Sequence, residues 1–190
     1  MYKPKEFNIP KLKGISQKTI DEHLKLYQGY VKHTNLILEE AKRGPDYNVS
    51  EIRRRLGFEF DGMRNHEYYF QQLENGPKKW VDGGILDKKL AESFGTGEAA
   101  YEDFKKVAST RGVGWAILYY DKNNDKLIQT WVDEQHIGHL NGLEFIFGID
   151  MWEHSYMLDY APSEKMKYFD AYMENVNWSV VEDRLEKVLV

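Results

Sequence analysis

The side chains that can do chemistry in this chain are six histidines, at 23, 33, 66, 136, 139 and 154, and the carboxylate of Asp150. There is no cysteine. Thiolate metal sites, disulfides and cysteine nucleophiles are therefore excluded, and a metal must be held by imidazole and carboxylate. The segment DMWEH at 150–154 sets a carboxylate at the end of an apolar run, with a histidine four residues on. A carboxylate at a buried strand end is costly unless it is paired or coordinates a cation. Asp150 and His154 belong to one short turn and can share one ion. His23 lies on one helical face with Tyr27 and Tyr30. His66 falls on an inward face with Met63 and Phe70. Two inward histidines on facing helices can converge on one point, as in metal-binding bundles. Taken singly, each is more often a hydrogen-bonded core residue than a ligand. Three imidazoles and one carboxylate form a mixed nitrogen and oxygen set that suits Fe, Mn or Zn better than Ca or Mg. His33 reads as a surface residue, and His139 as a loop residue without a role.

The elements that must position these groups follow from periodicity and breakers. Residues 1–14 read as an extended arm, with Pro4, Pro10 and Gly14 as breakers. Ser16 is an N-cap for a long helix running to about Arg43 and stopping at Gly44 and Pro45. Its apolar and aromatic positions Ile20, Leu24, Tyr27, Tyr30, Val31 and Leu38 fit a 3.6 period. Ser50 starts a second helix ending near Asn75, with Leu56, Met63, Phe70 and Leu73 inward. Two long helices joined by a short loop make an antiparallel hairpin. Short helices are expected near 86–94 and 98–109. Residues 114–120, 126–132 and 145–149 read as strands, the first two joined by a turn at 122–125. Residues 152–190 read as helical apart from a break at Ala161 and Pro162. The fold class is α+β: an N-terminal helical hairpin, 1–80, and a C-terminal α/β unit, 81–190, with a three-stranded antiparallel sheet.

Composition narrows the class of function. At 42% hydrophobic and 30% charged residues, the chain is globular rather than disordered. Its net charge of −5, without a basic patch, argues against nucleic acid as the main partner. No apolar run approaches the roughly 20 residues needed to span a membrane. The N-terminal stretch has no apolar h-region. The expectation is a cytoplasmic protein with no membrane partner.

The segment at 150–156 resembles the D-x-W-E-H-A-Y signature of the iron/manganese superoxide dismutases, with Ser155 for the usual Ala and Tyr156 for the usual aromatic. Ile15, Ser16, Thr19, Ile20 and His23 resemble the helix supplying that family's first ligand. Asn65, His66, Tyr69 and Phe70 resemble the N-H-x-x-Y-W/F segment around the second. Gly112, Gly114 and Trp115 resemble the G-S-G-W strand start, and Asn177 with Trp178 the late N-W pair. The resemblance covers nearly the whole chain, in order. It implies a metal held between the two domains, one Mn or Fe ion per subunit, by His23, His66, Asp150 and His154. It implies a homodimer, or a tetramer, in which Glu153 reaches the ligand histidine of the other subunit. Trp115 and Trp152 then lie around the ligands or at the dimer seam.

Three departures stand out. Tyr27 replaces the first of two further histidines, and ungapped counting puts Val31 at the gateway, with Tyr30 one residue early unless the helix adjusts near Gly29. Gly62 stands where iron-type members carry Gln, one turn before the second ligand. The gap can be filled from the sheet side, as in manganese-type members, by Gln135 or equally by His136. Finally, Met157 replaces a common second Tyr, and the usual Y-R-N-x-R becomes Tyr160 to Lys165 without arginine.

The implied activity is an antioxidant oxidoreductase reaction on superoxide. One half-reaction releases dioxygen and the other, with protons, hydrogen peroxide. Gln135 or His136 would tune coordinated solvent, and Tyr30 and Tyr27 would restrict access and relay protons. Lys25, Lys32 or Lys165 would focus the field for an anion on an acidic protein. The alternatives are a metal-free binding module and a Zn hydrolase on the same ligands.

Overall fold

The computed structural model describes residues 1–44 and 47–189. Pro45, expected to help end the first helix, lies outside the described residues.

Helix α1, Gln17–Glu40, starts where expected. Ser16 is extended, and its Oγ accepts from the Thr19 amide at 3.2 Å, which satisfies one of the orphan amides of the first turn. Residues Ile20, His23, Tyr27, Val31 and Thr34 form its buried face. After a 3-10 turn, Ala41–Arg43, the chain leaves through Gly44 at φ 104°, a left-handed geometry that glycine adopts without strain. Helix α2, Tyr47–Gln71, begins ahead of Ser50 and packs against α1. Its inner face carries Met63, His66 and Phe70, whereas Leu56 is only half-buried. The N-terminal arm is fastened to this pair: the Lys5 amide donates to Tyr27 Oη at 2.8 Å, and Leu12 is buried.

Two helices follow, α3, Ile85–Phe94, and α4, Gly97–Ala108. The antiparallel sheet has the order β2, β1, β3, with β1 at Gly114–Asp121, β2 at Lys126–Asp133 and β3 at Glu144–Asp150. Central β1 is buried from Gly114 to Tyr120. A strand covered on both faces reads as an unbroken apolar run, which is why it is conspicuous in the sequence. Its register sets Trp115 opposite both Val132 and Asp150.

The C-terminal expectation needs correction. Residues 152–161 are not α-helix: only Glu153–Ser155 form a 3-10 turn, and Pro162–Glu164 form another. The true helices are α5, Lys165–Asn175, and α6, Trp178–Leu189. They part at Val176 and Asn177, where the Asn177 amide donates to Gln72 O at 2.7 Å and its Nδ2 to Glu74 O at 2.8 Å. This tertiary tie outcompetes continuation of the helix. The α+β class is as expected. No helix among the described residues is long and apolar enough to cross a membrane. Helix α2 packs on β3, and α1 on the turn after β3. That junction is where His23, His66, Asp150 and His154 meet.

Candidate metal centre

Each of the four groups comes from its own stretch of chain. His23 comes from α1, His66 from α2, Asp150 from the last position of β3, and His154 from the 3-10 turn after it. Their candidate ligand atoms all lie within 4.8 Å of one another. A single oxygen, Asp150 Oδ2, lies 3.1 Å from His23 Nε2, 3.4 Å from His66 Nε2 and 3.0 Å from His154 Nε2. The carboxylate is braced from behind. Its Oδ1 accepts from the Trp152 amide at 2.9 Å, and Ser155 Oγ donates to the Asp150 carbonyl at 3.0 Å. Three of the four side chains are fully buried; His154 keeps an edge of 21% exposure.

The protonation states suit a cation. His66 Nδ1 lies 2.6 Å from the Gly62 carbonyl. A carbonyl only accepts, so Nδ1 carries the proton and Nε2 presents a lone pair. That nitrogen is buried and has no hydrogen-bond partner among the described residues. Its lone pair faces a carboxylate oxygen, and two acceptors repel unless a cation is shared between them. Burial pushes His66 well below the ordinary imidazole range, and the neighbouring His23 adds to the effect. Burial also lowers His23, against the pull of Asp150. For Asp150, burial pushes upward, but His154 and His23 outweigh it and hold the carboxyl far below its usual range. Neutral imidazoles and an ionised carboxylate are the forms that bind a metal, and this donor set fits Mn or Fe.

Beside this cluster sits Gln135, fully buried. Its Oε1 accepts from Trp115 Nε1 at 2.9 Å, and its Nε2 donates to Tyr30 Oη at 3.1 Å. The Tyr30 ring lies 5.1 Å from the His66 ring. It also fills the space beside Gly62: a Cβ there would lie 2.7 Å from Tyr30 Cδ1. Helix α1 runs without interruption through Gly29. No local adjustment is needed, because seven residues are close to two turns and put Tyr30 directly along the helix from His23. Val31, the ungapped gateway position, is a core residue at 1% exposure.

Comparison with known proteins agrees with this geometry. Residues 82–184 match the family described as iron/manganese superoxide dismutases, C-terminal domain. The chain is 33% identical to a superoxide dismutase [Fe] of Aquifex aeolicus (strain VF5), over 98% of this chain and 92% of that protein. It is 30% identical to a superoxide dismutase [Fe] of Pyrobaculum aerophilum, over 88% and 82% of the two chains. It is also 33% identical to a mitochondrial superoxide dismutase [Mn] of Glossina morsitans morsitans, over 85% and 76%. The chain belongs to the iron/manganese superoxide dismutase family.

Several positions of this family member are sorted by the geometry. Of the two candidates on the sheet side, Gln135 bonds Trp115 and Tyr30, whose rings both lie 5.1 Å from the His66 ring. His136 packs instead edge-on to Phe58, with ring centroids 5.7 Å apart, and against Gly57. Tyr27 is turned away: its hydroxyl accepts from the Lys5 amide and donates to Glu67 Oε1 at 3.3 Å, and its ring packs on Phe7 and Phe70. These contacts fasten Tyr27 to the N-terminal arm and to α2. Trp115 stands edge-on to His66 at 5.1 Å, and Trp152 stacks on His154 at 5.6 Å. Glu153 is exposed and lines a recess with His154. Of the lysines, Lys25 pairs with Glu22 at 2.7 Å, while Lys165 donates to the Thr110 carbonyl at 3.0 Å and lies over the Trp131 ring. Sequence reasoning missed His139, whose ring reaches both Tyr119 and the Gln135 carbonyl. A loop has no periodicity to point inward, so only its four-residue spacing from Gln135 hinted at the contact.

Proposed function

We propose that this chain is a superoxide dismutase, converting two superoxide ions and two protons to dioxygen and hydrogen peroxide. The observation that carries it is the convergence of three imidazole nitrogens on one carboxylate oxygen, in a member of this family. His23, His66, Asp150 and His154 would hold one Mn or Fe ion. When bound, the ion supplies the alternating one-electron oxidation and reduction. The chain's own residues do the rest. Asp150 contributes the negative charge that offsets the cation, and Trp152 and Ser155 keep it aimed. The buried amide of Gln135 holds the Tyr30 hydroxyl in place. Burial, followed by the field of Asp150, holds the Tyr30 phenol above its ordinary range, so it stays protonated and able to donate at neutral pH. Its ring limits access to small species. Support from Gln135, with Tyr30 filling the space beside Gly62, favours manganese.

The same proposal includes finer points. Residues 1–80 and 81–190 act as two units with the site between them. The protein is cytoplasmic and forms a homodimer with no nucleic-acid or membrane partner. Support for the dimer comes from Leu26, Met157 and Leu158, which are 41%, 50% and 49% exposed. They line a recess of about 420 Å³ together with Glu153 and the exposed edge of His154. The partner's Glu153 would there fix the His154 ring.

Metal analysis tests the reading. Protein loaded separately with Mn, Fe and Zn should retain one ion per chain, and only the Mn or Fe forms should remove superoxide. An active Zn form that hydrolyses esters, or protein that takes up no metal, would favour the alternatives.

A further inference from the structure

Gln135 is held by its backbone as well as by its amide. Its carbonyl accepts from Asn65 Nδ2 at 3.1 Å and from His139 Nε2 at 3.0 Å. Because a carbonyl only accepts, His139 carries its proton on Nε2, and Nδ1 is left as an acceptor. The Tyr119 hydroxyl, from the middle of β1, donates to that Nδ1. Burial, and then the Asp61 carboxylate, hold the Tyr119 phenol above its ordinary range, so it remains a donor. The preceding residue is fixed too. Glu134 sits at φ 52°, in the left-handed region that ends β2 and swings the chain inward. Its amide donates to the Val113 carbonyl at 3.0 Å, and its carbonyl accepts from Trp152 Nε1 at 3.0 Å. Two successive carbonyls are thus gripped by side chains from α2, from the loop after β2 and from the turn after β3.

We propose that His139 is a positioning residue for the site: oriented by Tyr119 and working with Asn65, it clamps the Gln135 carbonyl and so fixes where the Gln135 amide meets Tyr30. This rests on the reading of Gln135 as part of the dismutase site. The grip matters because the amide is short of alternatives. It must reach Trp115 and Tyr30 at once, and a backbone shift of about 1 Å breaks one of the two bonds. Two other groups lie near His139 Nε2: Asp61 Oδ2 at 3.9 Å, beyond hydrogen-bond reach, and Asn65 Nδ2 at 3.4 Å, a donor that the same Gln135 carbonyl accepts. His139 makes no hydrogen bond or ion pair with His23, His66, Asp150 or His154 among the described residues, so its influence passes through Gln135.

The test uses metal-loaded protein and two readouts, turnover and the midpoint reduction potential of the bound metal. His139→Phe keeps the ring volume and loses the donor. It should lower turnover about tenfold and move the potential in the same direction as Gln135→Ala. His139→Gln, which keeps a donor, should restore both. In the double variant, the His139→Phe effect should vanish, because the residue it positions is gone. Tyr119→Phe, a smaller change, should shift the same two readouts less and covers the case in which His139→Phe does not fold. Unchanged potential and turnover in folded His139→Phe, or losses that simply add in the double variant, would overturn the proposal. Wild-type protein without superoxide removal would instead overturn the functional reading, while the potentials would still report on the clamp.

Discussion

One oxygen of Asp150 is shared among three ring nitrogens. The two buried rings give a pH prediction with a definite sign. Folding holds His23 and His66 below their ordinary range. Below about pH 6.5 the unfolded chain takes up protons that the metal-free fold refuses. Metal-free stability is therefore full above that pH and falls as pH drops toward the lower folded values. Asp150, held low in the fold, adds a further loss below about pH 3.9, its unfolded value. Thermal midpoints of metal-free protein should be level between about pH 8 and pH 7 and fall clearly by about pH 5. Two glycines give a paired prediction. Gly62→Ala places a Cβ 2.7 Å from Tyr30 Cδ1, so the ring must move and its bond to Gln135 goes. A loss of about 1–3 kcal/mol in urea unfolding is expected, with reduced turnover. At Gly29 a Cβ would meet nothing within 4 Å. Gly29→Ala should therefore stabilise α1 by about 0.5–1 kcal/mol and leave turnover unchanged.

Helix α1 explains both what was legible and what was not. Its start at Ser16, its inward face and the pairing with α2 follow from capping and periodicity, which are local properties. Positions 23 and 66 were legible for the same reason. Tyr27 shares the face of His23, yet its hydroxyl points to the N-terminal arm, and only the tertiary position of Lys5 and Glu67 decides that. Tyr27→Phe removes two hydrogen bonds away from the site. It should cost about 1–2 kcal/mol in unfolding and leave the superoxide removal rate as in wild type. Ungapped counting pointed to Val31, which is buried in the core, whereas it is Tyr30 whose ring lies beside His66, because side-chain direction depends on angle and not on alignment position. The 135–139 loop was illegible in detail. Gln135 and His136 are neighbours of opposite orientation, and the choice between them is made by Glu134 in its left-handed conformation. The turn at 152–161 was read as helix because its residues are compatible with one. Asp150 and Ser155, bonded to Trp152, stop it after a single 3-10 turn.

At the scale of the whole molecule, the acidic net charge of −5 opposes an anionic substrate on average. Burial lowers the Lys165 ammonium from its ordinary range, against the pull of the Glu153 and Asp150 carboxylates. The apolar rim around His154 makes the oligomer testable. Sedimentation equilibrium should give a dimer for wild type and a monomer for Leu158→Glu, which buries an unpaired charge in the proposed seam. A wild-type monomer would remove that seam from the account. The central claim is that residues from α1, α2 and the segment 150–154 together hold one redox metal that removes superoxide. It is tested most directly by superoxide decay followed in stopped flow, on Mn- and Fe-loaded wild type beside His154→Ala with metal content measured on the same samples. The account predicts catalysed decay by wild type with one ion per chain, and loss of both the ion and the catalysis in His154→Ala. Wild type that carries its ion yet leaves superoxide to decay at the uncatalysed rate would contradict it.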